Sequence, residues 1–422
     1  MSAVVEHVAC TFCGCVCDDI VVECEGSEII KARRACAVGR GVLTGRDSVV
    51  RRPTVRGREV EWQEAVGEAA SILEQADSPL IYGLSSTSIE AQRRAVELAD
   101  WLGAVIDTTS SVCHGPTGLA MQAVGEATCT LGEVRDRADL IVFWGCNPAD
   151  SHPRHFGRFS LSPKGALTPN GRKDRTVVVV DVRPTRTSKA ADRFFQVNVG
   201  TDYEVLSVLR SLVKGKDVQV DTVGGVSVSE LRDLADRMKE CRYGVAFMGM
   251  GLTMSRGRHL NVGELFSLVA ELNEYTRFSV IPMRGHGNVA GADQVLTWQS
   301  GYPFAVSFAR GYPQFGPGEF SAVDMLSRRE VDAALVVASD PAAHFPHAAA
   351  EHLGRIPTIV LDPAPSVTAS CARVVFPTAY YGIDAPGTAY RMDNVPIPLQ
   401  GIFASGRPTD EQILDQIIEA VK

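Results

Sequence analysis

The sequence predicts an α/β protein in which a small, β-rich, cysteine-bearing N-terminal domain precedes two interleaved α/β nucleotide-binding-like domains. Three observations predict it. Cys10, Cys13, Cys15, Cys17 and Cys24 crowd the N-terminus. From near residue 60 onward, apolar runs of strand length alternate with stretches of helical periodicity, the pattern of helices layered on parallel sheets. A strand-and-turn unit starting at Asp139 recurs at Asp332, as an internal repeat does.

Composition narrows the function classes. The 422 residues suffice for two or three domains, and 45% hydrophobic with 22% charged residues is an ordinary globular balance. A net charge of −8 with no basic tract argues against nucleic-acid binding. No run approaches the ~18 apolar residues of a membrane span, and the N-terminus lacks a signal-peptide core, so a cytoplasmic protein is expected. Eleven cysteines in a reducing compartment favour metal over disulfides.

Cys10, Cys13, Cys17 and Cys36 are separated by gaps of two, three and eighteen residues. Three close thiolates and a remote fourth suit a cubane iron-sulfur cluster. Four thiolates also make a structural zinc site, although zinc ribbons usually pair two C-x2-C knuckles. Cys15 and Cys24 are left without a role. Alternation in Asp19-Ile20-Val21-Val22-Glu23 and a turn at Glu25-Gly26-Ser27 give this domain its β character, and its end is expected near residue 52.

Helical periodicity over Val60 to Leu73 is followed by a strand at Leu80-Ile81-Tyr82-Gly83-Leu84 and a helix from about 88 to 102. The strand Ala104-Val105-Ile106 leads to Ser110-Ser111-Val112-Cys113-His114-Gly115-Pro116-Thr117-Gly118. Pro116 fits the first position of a helix, where its missing N–H costs nothing. Cys113 is then expected where a strand ends and a helix begins, a place that stabilises a thiolate, with His114 beside it for proton transfer. Against this stands the ordinary fate of a free cysteine, which is burial.

The repeat has two parts. Asp139-Leu140-Ile141-Val142-Phe143-Trp144-Gly145-Cys146-Asn147-Pro148-Ala149 resembles Asp332-Ala333-Ala334-Leu335-Val336-Val337-Ala338-Ser339-Asp340-Pro341-Ala342. Each is followed by a strand ending in an aspartate with proline three residues later, Asp181 and Pro184 in one case, Asp362 and Pro365 in the other. Polar groups at the carboxyl ends of parallel strands are where α/β sheets bind nucleotides, so two related units imply two related sites. Chance similarity of βα units is the alternative. Gly249 and Gly251 form a G-x-G after a strand, a weak phosphate signal. Arg284, in a polar loop with Gly285, His286, Gly287 and Asn288, could hold a carboxylate through a bidentate fork or form a surface ion pair. The basic segment from His152 to Arg175 contains histidines expected to be solvated or structural, and 410 to 418 reads as an amphipathic terminal helix.

Taken together, Cys10-Thr11-Phe12-Cys13-Gly14-Cys15-Val16-Cys17, Trp62 to Ala65, Cys113-His114-Gly115-Pro116, Gly145-Cys146-Asn147-Pro148-Ala149, Val180-Asp181-Val182-Arg183, Gly200-Thr201-Asp202 and Arg284-Gly285-His286-Gly287-Asn288 resemble the molybdopterin oxidoreductase superfamily. Within it the likeness is to the catalytic, B-type subunits of formylmethanofuran dehydrogenases from methanogenic archaea. The resemblance implies domains at 1–52 (iron-sulfur), 53–135 with 325–400 (a discontinuous pterin-binding domain), 136–324 (dinucleotide-binding) and 401–422 (a terminal helix). It implies one 4Fe-4S cluster on Cys10, Cys13, Cys17 and Cys36, and two molybdopterin guanine dinucleotides carrying tungsten or molybdenum, with Cys113 as its protein ligand. His114 and Arg284 would handle the proton and orient the one-carbon substrate. Gly145, Asn147, Asp181, Arg183, Asp202, Gly249, Gly251, Asn288, Asp340 and Asp362 become candidates for cradling the dinucleotides.

The implied activity is reversible reduction of carbon dioxide to formate, which passes to a partner amidohydrolase (A-like) subunit. Two features depart from the superfamily pattern. Val38 stands where many members have a lysine between cluster and pterin, and the chain stops soon after Gly387-Thr388-Ala389-Tyr390-Arg391-Met392, where a barrel domain usually follows. A small D-like pterin-domain subunit is expected to replace that barrel, beside C-like and polyferredoxin-type subunits. A formate dehydrogenase subunit with split domains and a metal-free scaffold of a formyltransferase/hydrolase complex are the rival readings, the second opposed by retention of all five metal-binding cysteines with His114 and Arg284.

Overall fold

The structure, a computed structural model, describes residues 2–46, 49 and 51–422. Residues 1, 47, 48 and 50 of the expected 1–52 domain lie outside them. The chain divides into two compact units, Met1–Val112 with His286–Lys422, and Cys113–Gly285.

The first unit opens with an antiparallel sheet of β1 (Ser2–Cys10), β2 (Cys17–Glu25) and β3 (Glu28–Arg33), then α1 (Ala37–Thr44). An edge hairpin of β4 (Thr54–Val55) and β5 (Arg58–Glu59) precedes α2 (Trp62–Glu74), β6 (Pro79–Gly83), α3 (Ile89–Leu102) and β7 (Val105–Thr108). The ends of α3 show the local logic. Ser88 accepts the Ala91 amide at its start, and Gly103, at φ +65°, closes it.

The second unit is one continuous stretch: α4 (Gly115–Val124), α5 (Leu131–Arg137), β8 (Leu140–Trp144), α6 (Pro148–Ser151), β9 (Thr176–Asp181), β10 (Arg193–Gln196), α7 (Asp202–Val213), the hairpin β11 (Thr222–Val223) and β12 (Val226–Ser227), α8 (Val228–Glu240), β13 (Tyr243–Met248), α9 (Met250–Thr253), α10 (His259–Leu272) and β14 (Arg277–Pro282). The chain then returns to the first unit through α11 (Val289–Ser300), β15 (Val306–Ser307), β16 (Gln314–Phe315), α12 (Ala322–Arg328), β17 (Ala333–Val337), α13 (Pro341–His344), α14 (His347–Leu353), β18 (Thr358–Leu361), α15 (Val367–Cys371), β19 (Val374–Phe376), β20 (Gly387–Tyr390), β21 (Pro396–Leu399) and α16 (Asp410–Val421).

In the second unit the sheet is wholly parallel and runs β10-β9-β8-β13-β14. Its strands are continuous apolar runs because helices cover both faces. Leu140 to Trp144 and Tyr243 to Met248 are entirely buried. The sheet of the first unit runs β16-β15-β7-β6-β17-β18-β19-β4-β5, with the stretch from β7 to β19 parallel. Counting β8, β9, β10, β13 and β14 as strands one to five gives the doubly wound order 3-2-1-4-5, and β17, β18, β19, β6 and β7 give the same order. The internal repeat is therefore a whole five-strand frame, entered in the first unit at its fourth strand.

The division differs from the expected boundaries at two places. Residues 113–135 fall in the second unit, because α4 packs on α10 and the Ala127 carbonyl accepts the Val280 amide at 2.9 Å. Residues 286–324 fall in the first unit, because α11 packs on α3 and β15 pairs with β7. The terminal helix α16 packs its apolar face into the first unit's core against α2 and α3. Among the described residues no helix is long and apolar enough to cross a membrane.

Candidate metal and substrate site

The four N-terminal cysteines gather within the first unit. Cys10 and Cys17 face each other across β1 and β2, and Cys36 caps α1, its sulfur accepting the Gly39 amide at 3.3 Å. Gly39 stands so close that a Cβ there would lie 2.9 Å from Cys10 Sγ and 3.5 Å from Cys36 Sγ. The loop between β1 and β2 is pinned from outside: Tyr381 donates its hydroxyl to the Thr11 carbonyl at 3.0 Å, and Cys13 bridges to His286. Burial pushes the Cys10 thiol up to about 12, and Cys13, Cys17 and Cys36 add to it as like charges. Four thiols so placed cannot ionise together without a cation, so the donor set fits a metal cluster. No group of three or more His, Cys, Asp or Glu among the described residues converges on a single metal ion. Cys15, unassigned from the sequence, is buried, and its thiol is hydrogen-bonded to both Cys13 and Cys17.

Cys113 lies at the start of the second unit, directly ahead of α4, with a 3-10 turn over Thr109–Val112 separating it from β7. Pro116 takes the second helical position rather than the first. The Cys113 carbonyl accepts the Thr253 hydroxyl at 2.8 Å, while Cys113 itself is partly exposed. His114 is buried. Its Nε2 lies 3.3 Å from the Met283 carbonyl, which can only accept, so that nitrogen carries the proton and Nδ1 takes the Thr117 hydroxyl at 3.2 Å. Burial, reinforced by the Arg284 guanidinium, pulls its pKa down to about 3, so the ring is neutral.

Arg284 follows β14 and is 7% exposed, not the surface arginine of the alternative reading. Its turn is tight: the Arg284 amide donates to the Pro282 carbonyl at 3.0 Å, and the Met283 amide to Met248 at 2.7 Å. Two neighbours were not legible as site residues. His152, on the turn after α6, donates Nε2–H to the Arg284 carbonyl at 2.9 Å, and half-buried Glu126 sits within the field of the Arg284 guanidinium. Burial pushes Glu126 up to about 7, and Arg284 opposes that rise. His152 and His155 are buried, not solvated, His155 against Phe143 and Phe247.

The candidate nucleotide contacts divide into two kinds. Asp181 and Asp362 stand at the carboxyl ends of β9 and β18, the second strand of each frame, where doubly wound folds place a ribose-binding carboxylate. Each receives the amide two residues on, Arg183 to Asp181 at 3.4 Å and Ala364 to Asp362 at 2.9 Å, and burial raises both pKa values. Arg183 is exposed at the same edge. These residues fit a pair of dinucleotides.

The others also make contacts within the fold. Asn147 and Asp340 each accept the amide and hydroxyl of a buried threonine, Thr187 and Thr368. Asp202 takes the Trp144 indole N–H at 2.9 Å and the Ser255 hydroxyl at 3.3 Å. Asn288 is fully buried, its side chain bonded to the Thr87 carbonyl and the Tyr390 amide. Gly145, Gly249 and Gly251 are needed by one another. A Cβ on Gly251 would lie 2.7 Å from Gly145 Cα, and one on Gly249 would lie 2.5 Å from Cys146 Cβ.

The family model for molybdopterin oxidoreductases matches residues 50–382. The B-type subunit of the tungsten-containing formylmethanofuran dehydrogenase 2 of Methanocaldococcus jannaschii is 45% identical over 432 residues, covering 100% of this chain and 99% of that protein. Among solved structures, a chain of the formyltransferase/hydrolase complex from Methylorubrum extorquens, determined with methylofuran, superposes with a TM-score of 0.71 at 25% identity, over 87% of this chain and 98% of that one. Acetylene hydratase from Pelobacter acetylenicus shares the fold, with a TM-score of 0.71 at 13% identity over 99% of this chain and 69% of that one.

Proposed function

The chain belongs to the molybdopterin oxidoreductase family, and within it to the B-type subunits of formylmethanofuran dehydrogenase; on that premise we propose that it is the catalytic subunit reducing carbon dioxide reversibly to formate. The observation that carries the catalytic reading is the meeting of His114 with the Met283-Arg284 turn in one unit, directly beside Cys113. Cys10, Cys13, Cys17 and Cys36 would hold a 4Fe-4S cluster, Cys113 tungsten or molybdenum, and Asp181, Arg183 and Asp362 two pterin guanine dinucleotides. When bound, these groups supply two electrons at low potential.

The chain's own residues do the rest. In the overall change, carbon dioxide takes two electrons and one proton to give formate. Arg284, buried and fixed, binds the carboxylate as its charge develops. His114 offers a neutral ring whose 3.3 Å bond to Met283 is the longest on the turn and the first to open toward a substrate. Glu126, ionising near neutrality beside Arg284, exchanges the proton with solvent. Formate would then pass to an amidohydrolase subunit. A small D-like pterin-domain subunit, a C-like subunit and ferredoxin-like subunits complete the proposed assembly, which we place in the cytoplasm.

Elemental analysis of the anaerobically purified native complex tests this. About one tungsten or molybdenum per copy of this chain, with released guanine nucleotide and the irons of one cluster on this chain in addition to those of the ferredoxin-like subunits, are expected. Zinc or no metal in this chain, with no tungsten, molybdenum or guanine nucleotide in the complex, would leave the scaffold reading, and turnover of free formate without methanofuran coupling the split-domain formate dehydrogenase.

A further inference from the structure

We infer that His152 is a positioning residue for Arg284, its imidazole fixing the peptide that sets the direction of the arginine. This rests on the reading of Arg284 as the carboxylate-binding group. The bond is short and directional, Nε2–H to the Arg284 carbonyl at 2.9 Å. The carbonyl can only accept, so Nε2 carries the proton, and Nδ1 on the other side lies 2.8 Å from the Ser151 hydroxyl. His152 is 2% exposed, and burial keeps its ring neutral, so the donor is permanent near neutral pH.

The Arg284 carbonyl needs such a hold. The residue that follows is Gly285, around which a Cβ would meet nothing within 4 Å. Gly285 is exposed, and a glycine peptide is the freest to rotate. The Met283 amide and carbonyl are tied to Met248 and His114, and the Arg284 amide to Pro282. His152 holds the last peptide of the turn by its carbonyl.

The repeated frame shows that the fold does not demand a histidine here. Asn147-Pro148-Ala149-Asp150-Ser151-His152 corresponds to Asp340-Pro341-Ala342-Ala343-His344-Phe345. His152 and Phe345 each end their helix by donating an amide to the proline four residues back, at 2.9 and 2.8 Å. Phe345 fills its place with an apolar contact, edge-on to Tyr82 at 5.0 Å between ring centroids. In the frame that carries Arg284, the same position has a ring that donates a hydrogen bond to the arginine's own carbonyl.

The test uses the assembled complex, with iron and tungsten or molybdenum per chain checked for every variant. In His152→Phe, the dissociation constant of labelled formate from the oxidised complex and the KM for formate should rise about tenfold, with kcat within about threefold. His152→Gln, whose amide restores a donor, should return both to within about threefold of the parent. A purely architectural role would lower the unfolding midpoint and leave formate affinity in the loaded complex unchanged. That result, or a His152→Gln no better than His152→Phe, overturns the inference. If His152→Phe does not assemble, His152→Leu against His152→Gln decides on the same readouts. Arg284→Lys tests the premise separately: unchanged formate affinity there removes the carboxylate reading itself, whereas weakened affinity there with an unaffected His152→Phe removes only the role of His152.

Discussion

The hydroxyl of Thr187 donates to Asn147 Oδ1 at 2.7 Å and accepts the Ala149 amide at 3.1 Å. Thr368 does the same for Asp340 and Ala342, at 2.7 and 3.0 Å. Both threonines are buried. Thr187→Val should leave an amide and a side-chain oxygen unpaired, at about 1–3 kcal/mol. The unfolding midpoint of the complex measures it. Thr368→Val should behave alike, and a midpoint unmoved in both would mean that water replaces the hydroxyl.

Gly145 and Ala338 occupy the same place in the two frames, at φ +57° and +48°. Their amides bond alike, to Val180 at 2.9 Å and to Leu361 at 2.8 Å. A Cβ on Gly145 would lie 2.7 Å from the Leu252 amide nitrogen, backbone that cannot yield. Gly145→Ala should therefore destabilise by more than about 2 kcal/mol, while Ala338→Gly should stay within about 1 kcal/mol of the parent. Denaturant titration of both variants distinguishes them.

How much was legible beforehand follows from these pairs. The strand-turn-proline units and the aspartates after them stood out because strands covered on both faces leave long apolar runs with polar ends. That β6 and β7 serve the first frame as its last strands did not, because a strand's neighbours are tertiary choices that no local pattern records. Asn147, Asp202, Asn288 and Asp340 read as ligand contacts for the same reason: a polar residue near a strand end reads alike whether or not the fold also bonds it, as Thr187 and Thr368 bond Asn147 and Asp340. The four N-terminal cysteines stood out by their spacing, and Cys113 by its place between a strand and the helix that contains Pro116. His152 did not, since a histidine after a short helix carries no spacing signal.

Cys113→Ala should abolish formate turnover by on the order of a thousandfold or more, with the iron-sulfur absorption intact. Near-normal turnover would remove Cys113 from the metal.

Asp410, buried at the first position of α16, accepts the Thr87 hydroxyl at 2.6 Å, and burial raises its pKa to about 6. A carboxyl held above its ordinary 3.8 binds its proton more tightly folded than unfolded. Its contribution is full below the unfolded value and is lost as pH rises through the folded one. The unfolding midpoint should therefore fall as pH rises from about 4 to about 6, and Asp410→Asn should flatten that fall. An unchanged slope in the variant would assign the dependence to other groups.

Cys113 and Gly285 bound a single uninterrupted length of chain, and the bonds from His114 to Met283 and from His152 to Arg284 lie within it. The ends of that length meet where His114 reaches the Met283 carbonyl. The second unit is thus a loop of polypeptide whose clasp is the bond from His114 to the Met283 carbonyl. Folding of that one length brings Cys113 and Arg284 together, so the two residues proposed to face metal and substrate are placed by a single continuous segment.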